Sequence, residues 1–438
     1  MSLRQLSIQW KITLLAGLCL AGIVTLLVGL SLYRMEHSAA LVKTSSMEML
    51  TEAAQARIES QGENQALEIR QQFMDAYQYG HGFSRQVLFL RDQAEKRFLD
   101  AFDLREDLTR QVKSALQANP ELLGLSLVFE ANALDGKDDL FAGQAELGSN
   151  DKGRFALYWS QPTPGKVTSM ALPESDMADT GTGPSGEPAN AWFTCPRTTL
   201  KPCVIEPYFY VIDGQKVLMT SIVFPLMVNG KVIASLSADI NLNSLQAVSE
   251  GASKKLYDGQ TNVSIISPVG LLAGYSPDAS KLSQRLDAVD PTNGAELIRM
   301  LAAGSQTKSL HSNQQLKVLA PFQPIPGGKS WGVLLEVPEK VLVGPAEALK
   351  KQLDDSNTAG TLMELGLGAL AALIGLLLVW LMARSVTRPI LGVAHMLEDI
   401  ASGEGDLTRR LAYDKQDELG QLAGWFNRFL DKLQPIIA

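Results

Sequence analysis

The run LGLGALAALIGLLLVWLM, residues 365–382, decides how this chain is organised. It holds no charged residue, and at about 1.5 Å per residue a helix of this length nearly crosses a hydrocarbon layer about 30 Å thick. Arg384 and Arg388 follow it, and cationic flanks favour the cytoplasmic side. A buried core helix is the alternative, but such a helix usually carries a polar stripe, which this run lacks. We predict a membrane span over residues 361–383.

A second apolar run, ITLLAGLCLAGIVTLLVGLSL, occupies residues 12–32 and also lacks charge. The basic residues before it, Arg4 and Lys11, fit a secretory signal peptide as well as a span. The run is longer than the apolar part of a typical signal peptide, and no small-x-small cleavage site ends it. We therefore predict an uncleaved span over residues 12–33.

Two spans with a cytoplasmic start place residues 1–11 and 384–438 in the cytoplasm and residues 34–360 outside. The external part can form one large or two small cores. Because the cytoplasmic part is small and two helices per chain make a poor pore, we expect the protein to carry information across the membrane. The formal net charge of −8 argues against a nucleic-acid partner.

The sequence has three cysteines. Cys19 lies in the first predicted span, where we expect it to pack. Cys195 and Cys203 lie in the external part, where an oxidising compartment permits a disulfide between them. Two free thiols are the alternative, but the two prolines and turn-rich composition of CPRTTLKPC favour a bridge, which would contribute roughly 2–3 kcal/mol. A zinc site would need two more ligands nearby, and the sequence shows none.

The external part begins with a helical pattern over residues 38–89 that contains no proline. Apolar residues such as Ile58, Ile69 and Phe73 recur at helical spacing. Because the pattern is far longer than the usual helix of about 8–20 residues, we expect it to project a domain from the bilayer or to pair with a partner. A second amphipathic helix is predicted over residues 103–118.

Strand periodicity follows the two helices. The predicted strands cover residues 123–130, 204–211, 217–228 and 231–240. Asp-Gly and Asn-Gly dipeptides join the last three, and both suit two-residue hairpin turns. Residues 154–160 form a short segment with two adjacent aromatics, and residues 161–200 are predicted to be a long loop, which in a compact domain is usually functional. We predict a mixed first module over about residues 90–243.

A smaller α+β unit is predicted over about residues 252–345, closer to the second span. It begins after a predicted helix at residues 242–251 and contains predicted strands at 262–266, 270–275, 316–321 and 331–337 and a helix at 294–302. A further predicted helix at residues 346–355 runs into the second span. After the second span come two amphipathic helices at residues 389–401 and 417–437, separated by a break at 403–407. Each is too short to be stable alone, so a parallel four-helix bundle made by two chains is the simplest solution. Two separate surface helices are the alternative.

Three sequence elements after the second span resemble a HAMP module: TRPI at residues 387–390, GDLT at 405–408 and DELG at 417–420. The external region is similar to a double Cache (tandem PAS-like) sensor in five stretches: RF at 154–155, YW at 158–159, EPY at 206–208, VLMTS at 217–221 and ADI at 238–240. Together these modules resemble the bacterial chemoreceptors known as methyl-accepting chemotaxis proteins. The expected fold class is α+β, with two transmembrane helices flanking a tandem PAS-like ectodomain that has a long N-terminal helix, followed by a HAMP parallel helical bundle.

The resemblance implies a homodimer in the bacterial inner membrane, with its sensor in the periplasm, no cofactor and no enzymatic activity. A chemotaxis kinase and its adaptor would be contacted only through a signalling hairpin, which these 438 residues do not include. The sensor portion of a histidine kinase or diguanylate cyclase is the alternative, since both use the same modules. An external enzyme on a membrane anchor has no support, because the four histidines form no spaced pair and no Gly-x-Ser-x-Gly elbow or phosphate loop occurs.

The resemblance also implies a small-molecule pocket in the membrane-distal module. The residues it assigns to that pocket are Tyr158, Trp159, Tyr208 and Asp239, with Trp192 closing it. Aromatic faces can hold a cation, and a carboxylate can accept hydrogen bonds from an ammonium group. Each aromatic residue could instead belong to the core, and Asp239 could instead cap the helix that follows it.

Two departures from the family bear on the ligand. Members that bind amino acids carry an arginine two positions before the aromatic pair, where this chain has Ala156. Amine-binding relatives often have an aspartate just before a paired aromatic, whereas the comparable stretch here, Asn190 to Phe193, lacks that acid. We therefore expect a small amine or other nitrogenous cation, held mainly by one carboxylate and by aromatic side chains.

Overall fold

A computed structural model describes residues 7–163, 165–304, 306–402, 407–413 and 415–437. The α-helices are α1 Ile8–Lys96, α2 Ala101–Gln117, α3 Glu174–Ala178, α4 Ala191–Thr199, α5 Leu242–Lys255, α6 Leu286–Val289, α7 Gly294–Ala303, α8 Glu339–Ala401 and α9 Glu418–Ile437. The strands are β1 Gly124–Phe129, β2 Ala156–Thr163, β3 Lys166–Ala171, β4 Cys203–Val204, β5 Tyr208–Ile212, β6 Gln215–Val228, β7 Lys231–Asn241, β8 Asn262–Ile266, β9 Leu272–Tyr275, β10 Lys308–Ser312, β11 Gln315–Phe322 and β12 Trp331–Pro338. The chain divides into two compact units, Met1–Met49 with Ala346–Ala438 and Leu50–Pro345.

Helices α1 and α8 supply the apolar segments of the first unit. Each contains an 18-residue window apolar enough to cross a membrane, with mean hydropathy 2.4 in α1 and 2.5 in α8. Only 6% and 0% of these windows are buried, so neither is a core helix of a soluble domain. The two helices approach one another along the apolar segments, where a Cβ on Gly17 would lie 2.8 Å from Leu376, and also beyond them, where Lys43 forms an ion pair with Asp354 at 2.8 Å.

The end of the first unit differs from the sequence prediction in one respect. The helix predicted separately over residues 389–401 is the continuation of α8, which runs unbroken for 63 residues. The side chain of Asn427 in α9 holds the preceding segment, since its amide group bonds both the N–H and the C=O of Leu411 at 2.8 and 3.0 Å. Most of the predicted break, including Gly405 and Asp406 of the connector motif, lies outside the described residues.

The second unit contains two antiparallel sheets. The first sheet has the strand order β3-β2-β1-β7-β6-β4, with β5 also paired to β6. The second sheet has the order β10-β11-β12-β8-β9. Helix α1 packs on one face of both sheets, where Ile58, Ile69 and Phe73 are completely buried in one continuous core. Phe73 contacts Trp331 of the second sheet with ring centroids 5.1 Å apart, so the apolar stripe predicted in this helix is its core face.

The predicted hairpin turns are confirmed. Asp213 and Gly214 have φ of 47° and 74°, and Asn229 and Gly230 have φ of 50° and 77°, as the favoured two-residue turns require. The predicted loop over residues 161–200 is wrong, because this stretch contains β3, α3 and α4. The sequence pattern does not predict these elements, because they are short and are stabilised by contacts with the sheet rather than by strong local propensity. Strand β10 was missed for the same reason.

Candidate ligand-binding site

The face of the first sheet that points away from α1 carries a second, separate core. Successive strand residues point to opposite faces, and this alternation separates the two adjacent aromatics of β2. Tyr158 is 2% exposed and lies in the second core. Trp159 packs on the α1 side, where its ring lies 5.1 Å from Nζ of Lys113. The prediction that Trp159 lines the same pocket as Tyr158 is therefore wrong, since neighbours in a strand cannot share one face.

Asp239 of β7 is the central polar group of this face. Its carboxylate is buried, and Oδ1 accepts hydrogen bonds from Ser221 at 2.7 Å and from Ser237 at 3.0 Å. No Lys, Arg or His in the described part of the chain forms an ion pair with it. Burial raises the pKa of Asp239 to about 6, although Ser221, Ser237 and then the Tyr158 hydroxyl act to lower it. A buried carboxylate without a counter-charge is costly, so this group favours a bound cation.

Two further hydroxyl groups fix the orientation of these serines. The Ser221 hydroxyl lies 2.7 Å from the Tyr208 hydroxyl, and the Ser237 hydroxyl lies 2.7 Å from that of Ser126. Because each inner serine gives its only proton to Asp239, Tyr208 and Ser126 must be the donors to them. Both short chains therefore end on Oδ1, which leaves Oδ2 for another donor.

Tyr158 lies beside this carboxylate. Its hydroxyl has no hydrogen-bond partner of normal geometry among the described residues. Burial, followed by the nearby charge of Asp239, raises the pKa of Tyr158 well above its ordinary value, so the phenol stays protonated. The ring occupies space that a side chain on Gly124 would fill, since a Cβ there would lie 2.5 Å from the Tyr158 oxygen. The glycine at the start of β1 therefore permits the tyrosine to face the carboxylate.

These groups surround a small inner cavity of about 20 Å³, room for roughly one water molecule or one ammonium group. Its lining consists of Ser126, Tyr158, Leu172, Trp192, Tyr208, Tyr210, Met219, Ser237 and Asp239. An outer cavity of about 630 Å³ adjoins it and shares Trp192, Tyr208 and Tyr210 with it. Three aromatic side chains thus separate the buried carboxylate from the larger space.

The outer cavity is rich in carboxyl groups, with Asp176, Asp179, Glu187 and Glu206 in its lining. Asp176 accepts a hydrogen bond from the Tyr210 hydroxyl at 2.8 Å. Burial raises the pKa of Glu206 to about 7, so this group is about half protonated at neutral pH. The remaining acids attract a cation toward the three aromatic side chains.

Helix α4 positions Trp192, which is 7% exposed. The helix ends close to β4, and a disulfide between Cys195 and Cys203 joins the two elements. Strand β4 pairs with β6, the strand that carries Ser221. The disulfide therefore holds the tryptophan over the same strand that supplies a donor to the buried carboxylate.

The structure brings four of the five sequence-assigned pocket residues together: Tyr158, Trp192, Tyr208 and Asp239. Helix α5 is capped by Asn241, whose side chain accepts from the Asn243 N–H at 2.9 Å, so capping is not the role of Asp239. Sequence reasoning missed Ser126, Ser221, Ser237 and Tyr210. The alternation of β7 could have indicated Ser237, which stands two positions before the aspartate, but the cross-strand partners depend on register.

The chain is similar to known proteins in its C-terminal part as well as in the part that contains the two sheets. Residues 381–434 match the HAMP domain family. Methyl-accepting chemotaxis protein TlpQ of Pseudomonas aeruginosa is 64% identical over 437 residues, which is 100% of this chain and 61% of that protein. Methyl-accepting chemotaxis protein McpA of Pseudomonas putida is 29% identical over 325 residues, 72% of this chain and 45% of that protein. The chain thus spans only about half to three-fifths of the length of these relatives.

Two solved structures share the fold of the external part. The extracellular domain of the histidine kinase mmHK1S-Z3 has a TM-score of 0.53 at 19% identity and covers 68% of this chain and 98% of its own. The periplasmic sensory domain of the Campylobacter jejuni chemoreceptor Tlp1 has a TM-score of 0.51 at 13% identity and covers 68% of this chain and 99% of its own. At these identities the likeness concerns the fold.

The two apolar helices, the paired sensor sheets and the HAMP match define a Cache-type sensor joined to a HAMP domain. The match over the whole chain goes further: the chain is a close homologue of methyl-accepting chemotaxis proteins, and it spans about three-fifths of the length of the relative that is 64% identical.

Proposed function

We propose that this chain is the sensing and transmembrane part of a chemoreceptor that binds a small amine. The observation that carries the proposal is the buried carboxylate of Asp239, which has two serine donors and, among the residues that the structure describes, no cationic side chain paired with it. An ammonium group bonded to Oδ2 would supply the missing charge. The proposed ligand therefore places its cationic nitrogen in the inner cavity.

The dimensions of the two cavities support a ligand with a compact cationic head and a larger body. The inner cavity accommodates one small group, whereas the outer cavity accommodates the remainder of a molecule. The rings of Trp192, Tyr208 and Tyr210 stand between the two cavities and can contact a cation or an aliphatic chain that passes them. An α-amino acid is a weaker candidate, because its carboxylate would lie near Asp176, Asp179 and Glu187 of the outer cavity, and these acids outnumber Lys216 in the same lining.

The remaining steps follow from the family. We place the receptor in the bacterial inner membrane as a homodimer, with the two sheets in the periplasm and the first sheet in the membrane-distal module. Binding shifts the equilibrium between two arrangements of the second span, and the HAMP bundle passes that shift to a signalling domain that controls chemotaxis. The relatives are named as chemotaxis proteins rather than enzymes, in agreement with the expectation of no enzymatic activity.

Calorimetric titration tests the ligand class directly. The full chain in lipid nanodiscs would be titrated with n-butylamine, n-butanol, butyrate, alanine and adenine in amine-free phosphate buffer at pH 7.5. We expect n-butylamine to bind and its neutral and anionic analogues to fail. Affinity should fall about tenfold per pH unit below about pH 6, because protonation of Asp239 removes its charge.

Matched variants identify the binding site. Asp239→Asn should abolish binding of n-butylamine, whereas Asp139→Asn, an exposed carboxylate of the same module that lines neither cavity, should leave it unchanged. Binding of butyrate or alanine without binding of the amine would refute the ligand class. Equal affinity of the Asp239→Asn variant and the wild type would refute the site.

A further inference from the structure

The two sheets of the external part place chemically related residues at matching positions. Each sheet has a strand that pairs with two neighbours: β1 pairs with β2 and β7, and β8 pairs with β9 and β12. The first residue of β1, Gly124, pairs with Asp239, and the first residue of β8, Asn262, pairs with Glu336. Register therefore puts a carboxylate at the same position in both sheets.

The match extends to the neighbouring strands. Ser126 pairs with Tyr158, and two residues into the other central strand Ser264 pairs with Tyr275. The second sheet thus repeats a serine, a tyrosine and a carboxylate on the face that points away from α1. Burial, and next the charge of Glu336, raises the pKa of Tyr275, as burial and Asp239 do for Tyr158.

The sheets also differ: Asn262 stands where the first sheet has Gly124, and two further differences concern the surroundings of the carboxylate. The residue opposite Asp239 on β6 is Ser221, whereas the residue opposite Glu336 on β11 is Lys317. The ammonium group of Lys317 bonds Glu336 and lies 2.7 Å from Asp290. Its side chain is 5% exposed, so the second sheet contains a buried cation where the first sheet has none.

The other difference removes a hydroxyl group. Ser126 pairs with Ser237, whereas Ser264 pairs with Leu334. The Ser264 hydroxyl is buried and has no hydrogen-bond partner among the described residues. Leu334 belongs to an apolar cluster with Leu297 and Leu301 of α7. This cluster fills the side of the second sheet that corresponds to the cavity of the first.

We infer that Lys317 is a tethered cation that occupies, in the second sheet, the place that a ligand's ammonium group takes in the first. The three methylene carbons beyond Cβ (Cγ, Cδ and Cε), together with Nζ, correspond to a propylammonium ion attached covalently to Cβ. The bonds to Asp290 and Glu336 raise the pKa of Lys317 although burial acts to lower it, so the lysine remains charged. The carboxylate of the second sheet is therefore paired with a cation without any ligand. The analogy to a ligand rests on the proposed function, but the role of Lys317 toward Glu336 does not.

Chemical rescue tests this assignment. The full chain would carry Asp239→Asn, which removes the site of the first sheet, together with Lys317→Ala, which vacates the second. We expect the added substitution to lower Tm by roughly 6–10 °C, because it leaves the buried carboxylate of Glu336 and the partly buried one of Asp290 without a cation. Addition of n-propylamine at 20 mM, which replaces the deleted atoms, should recover several degrees.

The controls distinguish rescue by the charge of the amine from rescue by the volume that it fills. Lys317→Met in the same background fills the space without charge and should gain nothing from n-propylamine, and neither should the Asp239→Asn parent. Equal recovery with n-propanol, or no recovery with n-propylamine, would overturn the inference. If Lys317→Ala fails to fold, Lys317→Gln replaces it. That variant should be less stable than the Asp239→Asn parent at pH 7.5, because it leaves the carboxylates of Glu336 and Asp290 without a cation; equal stability of the two would also overturn the inference.

A reciprocal variant links the inference to the proposed function. Ser221→Lys places a lysine opposite Asp239, as Lys317 stands opposite Glu336. If the first sheet takes an ammonium group, this variant should lose n-butylamine binding and resist unfolding at least as well as the wild type at pH 7.5. One combination of results separates the two proposals. If n-propylamine rescues Lys317→Ala but Ser221→Lys is less stable than the wild type, the amine site of the first sheet is refuted. The role of Lys317 as a tethered cation in the second sheet would still stand.

Discussion

Replacing Asp239 by asparagine should stabilise the ligand-free protein at neutral pH, although it should abolish binding. The pKa of this carboxyl is about 6 in the folded chain, because burial disfavours its charge, and 3.8 is its ordinary value. Below about pH 4 both the folded and the unfolded chain carry the proton, so the group contributes nothing. Between about pH 4 and 6 the unfolded chain releases the proton first, and stability falls as pH rises.

The size of this effect follows from the two pKa values. At about 1.4 kcal/mol per pH unit, the difference between them costs the folded state about 3 kcal/mol above pH 6. Asparagine keeps the shape of the protonated acid and carries no charge. The Asp239→Asn variant should therefore match the wild type near pH 4 and exceed its free energy of unfolding by about 3 kcal/mol at pH 7–8. In Tm this corresponds to roughly 6–10 °C.

Urea unfolding of the full chain measures the difference. Wild type, Asp239→Asn and the exposed control Asp139→Asn would be compared from pH 4 to 8 in detergent and amine-free buffer, with tryptophan fluorescence as the signal. Subtraction of the wild-type curve removes the contribution of other titrating groups such as Glu206. A difference that does not vary with pH, or a variant less stable than wild type at pH 7.5, would refute the view that Asp239 is an uncompensated buried charge.

Three further changes test other parts of the argument. Gly124→Ala should weaken n-butylamine binding at least tenfold in a calorimetric titration, because the new methyl group displaces Tyr158; unchanged affinity would contradict this. Cys203→Ser should lower the free energy of unfolding by about 2–3 kcal/mol through loss of the bridge to Cys195, and reductant should then have no added effect. Arg105→Met should cost about 3–5 kcal/mol, because the buried guanidinium bonds two aspartates, and a variant as stable as wild type would show that this network is dispensable.

Several elements could be predicted because local pattern determines them. The spans depend on apolar length alone, and the helical stripe of α1 with Ile58 and Phe73 depends on a period of 3.6 residues. The turns at Asp213 and Asn229 depend on the left-handed backbone that an Asn-Gly or Asp-Gly dipeptide adopts readily. Each of these signals lies within a short stretch of sequence, so tertiary contacts did not alter it.

Other elements could not be predicted because distant contacts decide them. Helix α4 is nine residues long and contains Pro196, so its formation depends on packing against β6 and β7 and on the disulfide rather than on propensity. Because the sequence predicted a loop at this position, it did not show that a helix positions Trp192. Helix α8 likewise continues through Pro389, although a proline is a local signal for a helix boundary.

By itself the sequence determined that the chain has two apolar segments long enough to cross a membrane and that the part between them is α+β, because apolar length and periodicity are local properties. The family motifs in it predicted one pocket that contains Asp239 and aromatic residues. Only the tertiary structure decided which side chains share that site. Register across β1, β6 and β7 brought Ser126, Ser221 and Ser237 to the carboxylate and turned Trp159 away from it. The same kind of register placed Lys317 opposite Glu336. A shift of one residue in any strand would reverse these faces, and no local pattern in the sequence specifies that alignment.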